Sequence, residues 1–315
     1  MSPTTDVRAL ALAAVSAAAF GLSGPFAKAL LDAGWSPSAA VLARVGGAAA
    51  VLAPLVVRQW RRRRPSAANA RIVLAYGLTA VAGTQFAYFS AVQTLSVGVA
   101  LLLEYLAPVL LVGLAWARTR SAPPTGTLIG TVLSMVGLVL VLDLGGGVSV
   151  DPVGVAWGLA AAVCLSAYFV LSARVDDGLP AVVLAGGGLA VGTVTLAVLG
   201  VAGIVPLEAS TGPVELLGAS VSWLVPVVVL VGVSTVAAYL TGITATARLG
   251  SRVASFVGLT EVLFAVLAAW WLLGELPVPI QLLGGVGIVA GVALVHRDTD
   301  DRHDPASEPV PVTTA

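Results

Sequence analysis

The chain has 315 residues, 58% of them hydrophobic and only 10% charged, with 16 basic and 16 acidic side chains and a mean hydropathy of +1.00. Soluble domains carry roughly 25% charged residues, so this supply cannot coat a water-soluble surface, and a formal net charge of zero offers nucleic acid no basic face. A single cysteine, Cys164, excludes a disulfide framework or a cysteine-rich metal site; both histidines, His296 and His303, fall at the polar end of the chain, so neither metal nor cofactor is expected.

Crossing about 30 Å of hydrocarbon takes roughly 20 mostly apolar residues, because a helix rises about 1.5 Å per residue and keeps its backbone hydrogen bonds within itself. Ten such runs follow one another: 9–31, 37–57, 72–94, 96–117, 126–143, 153–173, 180–203, 220–246, 252–273 and 279–296. Two junctions are tight: Leu95-Ser96 between the third and fourth runs, and Gly250-Ser251 between the eighth and ninth. The first run, with Arg8 ahead of it, has some features of a signal peptide, but nine further runs favour a retained span. The segment 298–315 is polar, charged and contains proline, and is expected to be a disordered tail.

Orientation follows from the cations, which concentrate in cytoplasmic loops. Arg8, Arg58, Arg61, Arg62, Arg63, Arg64, Arg71, Arg118, Arg120, Arg174, Arg248, Arg252, Arg297 and Arg302 all fall at one set of span ends. The other set carries carboxylates: Asp32, Asp143, Asp151, Glu208, Glu215 and Glu275. This alternation predicts a multi-pass protein of the cell membrane with both termini in the cytoplasm. Trp35, Trp60, Trp116, Trp223, Trp270 and Trp271 fall near the predicted interfaces, with Trp157 deeper.

A repeat runs through the chain. The spacing Ala91-x3-Leu95-x3-Val99-Ala100 returns as Ala245-x3-Leu249-x3-Val253-Ala254, 154 residues later. Pro123-x6-Gly130-x6-Gly137-x3-Val141 returns as Pro277-x6-Gly284-x6-Gly291-x3-Val295 at the same offset of 154. Two halves, 1–146 and 147–297, each with five spans, must then have opposite orientations. The predicted fold is an all-α membrane protein of ten transmembrane helices in two inverted repeats, an arrangement that places a site near the midplane between the halves. Glycine pairs four residues apart, Gly154 and Gly158, Gly188 and Gly192, Gly287 and Gly291, suit close helix packing.

The order of motifs resembles the drug/metabolite transporter superfamily, in particular its EamA-type ten-helix members. The resemblance rests on Pro37…Arg44 in the second span, Gln85-Phe86-Ala87-Tyr88-Phe89-Ser90-Ala91 in the third, Glu104-Tyr105-Leu106-Ala107-Pro108 in the fourth, and Leu273-Gly274-Glu275 after the ninth. It covers nearly all of residues 7–297 and implies export, in some members import, of amino acids, nucleotides, sugars or drugs. Two departures stand out: Ala117-Arg118 replaces the Leu-Gly-Glu element in the first half, and Val262 follows Glu261 where many members have proline.

Charged side chains inside a span cost roughly 2.5–3.5 kcal/mol on insertion scales and therefore face a cavity or a partner. Glu104 and Glu261 each lie about nine residues into their spans, near-equivalent midplane positions under an inverted repeat. The structural reading pairs them with Arg44 or Lys28; the functional one has at least one of them bind and release a proton. Arg44 is a candidate for holding a substrate carboxylate or phosphate, because guanidinium offers parallel donors, whereas Lys28 can snorkel outward. Ser23, Gly24 and Pro25 are candidates for a break in the first helix, as is Pro108 in the fourth. Tyr88, Tyr105, Tyr168 and Tyr239 lie within spans and are read either as packing or as hydroxyls lining a polar cavity; Tyr76 is of the same kind. Gln85 must satisfy an amide in hydrocarbon.

These features predict a secondary transporter working by alternating access, an exporter of a small metabolite or drug-like solute, with proton exchange as one form of coupling. Its expected partners are the lipid bilayer, the solute and protons; a monomer and a homodimer are both compatible with the sequence. Uptake by the same fold is the nearest alternative. An intramembrane enzyme lacks support in the absence of a Gly-x-Ser-x-Gly elbow, a phosphate loop or an intramembrane histidine, and a sensor lacks an output domain.

Overall fold

The structure, a computed structural model, describes residues 3–63, 65–143, 151–175, 178–216 and 218–300. The expected junction of the halves at 146/147 and the tail beyond 300 lie outside the described residues. Seven spans come first: α1 (Val7–Asp32), α2 (Pro37–Arg63), α3 (Ala67–Ala91), α4 (Val97–Thr119), α5 (Thr125–Val141), α6 (Pro152–Ser172) and α7 (Ala181–Val201). The stretch Leu224–Gly258 turns sharply at Gly250, whose φ of +79° suits a residue without Cβ. It therefore contributes α8 (224–249) and the start of α9 (251–273), and α10 (Pro279–Asp300) closes the bundle. Local signals set the helix starts. Ser66 and Ser96 accept hydrogen bonds from the backbone N–H groups of Asn69 and Val99, and Asp151 accepts one from Gly154 at 2.8 Å, just before Pro152 at the first helical position.

Several boundaries differ from the sequence reading: α3 starts at Ala67 and ends at Ala91 rather than 72–94, and residues 220–222, read as the start of the eighth span, lie in a strand. Helix α2 continues past 57 to Arg63, because Arg61, Arg62 and Arg63 sit favourably at the carbonyl-rich end of the helix. Helix α10 runs on to Asp300, so the tail does not begin at 298. Asp298 reaches across to the N-terminus of α5, where it accepts from the Thr127 N–H and, at 3.2 Å, from the Thr127 hydroxyl, and this contact holds the last turn.

Helices α5 and α10 show how the halves are related. A Cβ on Gly130 would stand 2.7 Å from the Gly291 carbonyl oxygen, and one on Gly291 would stand 2.5 Å from that of Gly130. Gly137 and Gly284 have the same reciprocal relation, at 2.6 and 2.5 Å. Because Gly284 and Gly291 are the repeat equivalents of Gly130 and Gly137, each helix meets its own counterpart running the other way. Such a reciprocal antiparallel contact requires a twofold axis perpendicular to the helices, which is the axis of an inverted repeat.

At the end of the bundle away from the termini, the α7–α8 connection forms a hairpin of β1 (Pro213–Leu216) and β2 (Ala219–Ser222), antiparallel with Val214 opposite Val221. It packs on the α1–α2 turn. The Trp35 indole donates to the Ser210 carbonyl at 2.7 Å, the Ser36 hydroxyl donates to the Pro206 carbonyl at 2.8 Å, and the Trp35 and Trp223 rings lie 5.7 Å apart. Trp35 is therefore buried in this cap, whereas Trp116 and Trp271 are exposed on the periphery. Phe26, Leu30, Trp35, Val214, Leu216 and Leu272 belong to one apolar cluster that closes this end.

Candidate functional site

Two spans are interrupted near their middles, at equivalent places. In α4 the helix breaks between Val97–Glu104 and Ala107–Thr119. Pro108 has no N–H to give the Glu104 carbonyl, and its ring crowds that carbonyl, so the α-helical register cannot continue. In α9 the helix breaks at Leu259, between 251–258 and Thr260–Leu273. No proline is present there; the Thr260 hydroxyl instead donates to the Val257 carbonyl at 2.6 Å, competing with the backbone pattern. Glu104 is the last residue of its half-helix, beside exposed carbonyls. Glu261 is in the first turn of its own, the end at which the helix dipole favours a negative charge.

The first span is also interrupted, at Leu22, immediately before Ser23-Gly24-Pro25. Gly21 makes this useful: a Cβ there would stand 2.9 Å from the Glu261 carbonyl oxygen and 2.8 Å from the Ala265 nitrogen, so α1 lies directly against the turn carrying Glu261. Two π-helical segments, Gly77–Gly83 in α3 and Gly232–Ala237 in α8, sit just ahead of Thr84-Gln85 and Tyr239 at matching places in the repeat. Such segments add a residue to a turn and re-aim the side chains that follow.

These elements enclose a cavity of about 150 Å³ between the halves. Of the residues singled out in the sequence, Arg44, Gln85, Glu104, Glu261, Tyr105, Tyr168 and Tyr239 line it, as do Ser23 and Pro108. Tyr88, Gly24 and Pro25 do not. Tyr88 packs instead with Ala91, Leu95, Val99 and Ala100 at the α3–α4 junction, and Tyr76 is fully buried in the core beside Tyr168, their rings 5.8 Å apart. The cavity approaches to within about two turns of the terminus-bearing helix ends at Ala13, Thr246 and Ala254.

Among the described residues, Arg44 makes no ion pair or hydrogen bond with either carboxylate, although all three charged groups face the cavity. Lys28 is occupied elsewhere, pairing with Asp32 at 3.2 Å on an exposed helix face, so it is not the partner of Glu104 or Glu261. The Tyr105 hydroxyl faces Glu261. The Gln85 amide has no protein partner among the described residues, which leaves its hydrogen-bonding groups to whatever occupies the cavity.

The sequence reading missed Ser16, Thr84, Thr246, Ser255 and, above all, Gly242. A Cβ at Gly242 would stand 2.5 Å from both the Ser16 and the Tyr168 hydroxyl oxygens, so the cavity exists at that corner because the side chain is missing. The repeat held a signal for it, since the residue 154 positions earlier is the bulky Tyr88.

The EamA-like transporter family profile matches residues 7–143 and again 152–297. Among solved structures 27 chains match; one, a crystal structure, aligns over 96% of this chain and 98% of its own with a TM-score of 0.66 and 22% identity, a likeness of fold. No curated protein matches. With both halves matched in turn and ten helices in two inverted repeats around a central cavity, the chain belongs to the EamA-like transporter family.

Proposed function

We propose that this membrane transporter is a secondary active exporter that carries a small metabolite by alternating access and exchanges it for protons at its paired carboxyl groups. The observation that carries this reading is the convergence of Arg44, Gln85, Glu104 and Glu261 on one cavity between inverted halves. Ligand sites for drug-sized molecules usually measure about 300–1,000 Å³, so a cavity of about 150 Å³ favours a compact metabolite. Charged groups in a bilayer are costly unless they serve a cavity or partner, and among the described residues Arg44, Glu104 and Glu261 form no ion pair and all line the cavity. The arginine alternation supports a cell-membrane orientation with both termini in the cytoplasm, on the side that the cavity approaches.

Purified protein in proteoliposomes, loaded with a panel of labelled metabolites under an imposed pH gradient, tests the reading. Saturable, trans-stimulated flux accelerated by the gradient is expected. Glu104→Gln and Glu261→Gln proteins that fold well yet accumulate solute with unchanged pH dependence would remove the proton-coupling role from both residues.

A further inference from the structure

The charged and aromatic lining of the cavity, read together, points to one solute class. Resting on the transport reading above, we infer that the cavity takes a small organic cation, an amine or quaternary ammonium, in exchange for one proton, and that Arg44 is a fixed internal counter-charge that does not bind the solute.

The argument begins with a charge count. Arg44, Glu104 and Glu261 are the charged residues among those lining the cavity. Guanidinium stays protonated in proteins, so Arg44 supplies one constant positive charge. With both carboxyls ionised the cavity holds a net charge of minus one inside the bilayer, a state that needs compensation. A proton on one carboxyl provides it; so does an ammonium group, which also releases that proton. Written out, a protonated carboxyl and an incoming ammonium become a carboxylate–ammonium pair plus a proton released to water, with no bond to carbon made or broken. A carboxylate solute would instead raise the charge to minus two and require two protons. Glu104, at the carbonyl end of its half-helix, is the group assigned the exchanging proton, and Glu261, in the first turn of its half-helix and faced by the Tyr105 hydroxyl, is the carboxyl assigned to balance the Arg44 charge across the cavity.

The remaining lining fits the same class. Phe20, Tyr105, Tyr168, Phe169 and Tyr239 bring five aromatic rings to a cavity of about 150 Å³, with Phe20 and Tyr239 in edge contact at 5.3 Å and Tyr168 and Tyr239 at 5.9 Å. Aromatic faces attract cations and do nothing comparable for anions. The groups bearing on the two carboxyls are Arg44 from α2, Tyr88 from α3, Tyr105 from α4, Cys164 and Tyr168 from α6, and Tyr239 from α8, with each carboxyl also facing the other. Among these, Arg44 alone carries a fixed positive charge.

The test uses the full-length protein in nanodiscs and a matched series: phenethylamine, phenethyl alcohol and phenylacetate, with tetramethylammonium as a cation lacking N–H donors. Calorimetry gives affinity, and a weakly buffered indicator dye counts protons. Phenethylamine should bind at least tenfold tighter than the alcohol or the acid, tetramethylammonium should bind, and each cation should release about one proton. Glu104→Gln should abolish the release, and Glu104→Asp, which keeps the carboxyl, should restore it. Three results would overturn the inference: phenylacetate binding tightest and lost in Arg44→Gln; cation binding without proton release; or no binding of either cation at millimolar concentration. In the last case flux of other solutes in proteoliposomes would still uphold the transport reading.

Discussion

The fourth and ninth spans occupy equivalent places in the two halves, and they reach one geometry by different chemistry. Both break near the middle and both present a carboxylate to the cavity. Yet α4 breaks because of Pro108, while α9 breaks between Gly258 and Thr260 without a proline. Their carboxylates lie on opposite sides of the break: the repeat equivalent of Glu104 is Gly258, and that of Glu261 is Ala107. The same holds for the neighbouring spans, where Gln85 corresponds to Tyr239 and Tyr88 to Gly242. The repeat thus preserves backbone architecture while the two halves divide the chemistry between them, and a symmetric scaffold acquires an asymmetric site.

The symmetric part of that comparison is the easiest to break. Leucine at Gly137 or at Gly284 would drive a side chain into the backbone of the facing helix, where the first added carbon already meets atoms 2.5–2.6 Å away. Overpacking commonly costs about 1–3 kcal/mol, and contact with backbone, which cannot rotate aside, puts these variants at or above the top of that range. Because the contact is reciprocal, Gly137→Leu and Gly284→Leu should lower the melting temperature and monodisperse yield by similar amounts. A large loss from one and none from the other would show that the two helices do not meet symmetrically.

The asymmetric part rests on Gly242 and Tyr88. Gly242→Ala places a methyl group between the Ser16 and Tyr168 hydroxyls, so one must move; the Ser16 bond to the Ala238 carbonyl, 2.8 Å long, is the one at risk. Transport should fall at least tenfold with a stability cost of about 1–2 kcal/mol. Tyr88→Phe changes the equivalent residue outside the cavity and should leave transport within about twofold. Equal effects on initial flux rates would mean that the cavity is shared evenly between the halves.

The sequence disclosed the scaffold more fully than the site, for a physical reason. Span length, arginine alternation and glycine spacing are properties of single segments, and each carries a direct energetic meaning in a bilayer. Whether Glu104 falls before or after a break depends on where a half-helix ends, and the π-helical turns that re-aim Gln85 and Tyr239 leave no periodic trace. Tyr88 follows Gln85 by one helical turn, which suggests a shared face, but the α3–α4 junction takes its ring away from the cavity. Gly242 shows the limit most plainly, since what it contributes is the absence of atoms.

A second asymmetry lies at the end away from the termini. Among the described residues, only the second half has a hairpin between its second and third spans, and Ser36 ties it to the α1–α2 turn by donating to the Pro206 carbonyl and accepting from the Glu208 N–H at 3.1 Å. Ser36→Ala should cost about 1–2 kcal/mol, because the Glu208 and Ala39 N–H groups lose their acceptor. Hydrogen exchange at residues 206–210 should accelerate at least tenfold while exchange in α5 and α10 stays unchanged. Uniform acceleration across the bundle would show that the hairpin is not a separable cap.

The smallest expected effect bears on the two breaks themselves. If Pro108 alone imposes the interruption in α4, Pro108→Ala supplies the missing N–H for the Glu104 carbonyl and lets the helix close across residues 105–106. That adds one backbone hydrogen bond, worth about 0.5–1.5 kcal/mol, while turning Glu104 relative to the cavity. Thermal stability should therefore stay level or rise slightly as transport falls severalfold. In α9 the interruption has no such single cause, so Thr260→Val, which removes the 2.6 Å bond to the Val257 carbonyl, should cost less than about 1 kcal/mol and leave Glu261 in place and flux nearly unchanged. The opposite pattern, with the threonine variant losing transport and the proline variant keeping it, would mean that the α4 break is held by packing around Glu104 and Tyr105 and that the proline merely tolerates it. Melting curves paired with initial flux rates for the two single variants separate these outcomes without requiring the solute to be its natural one.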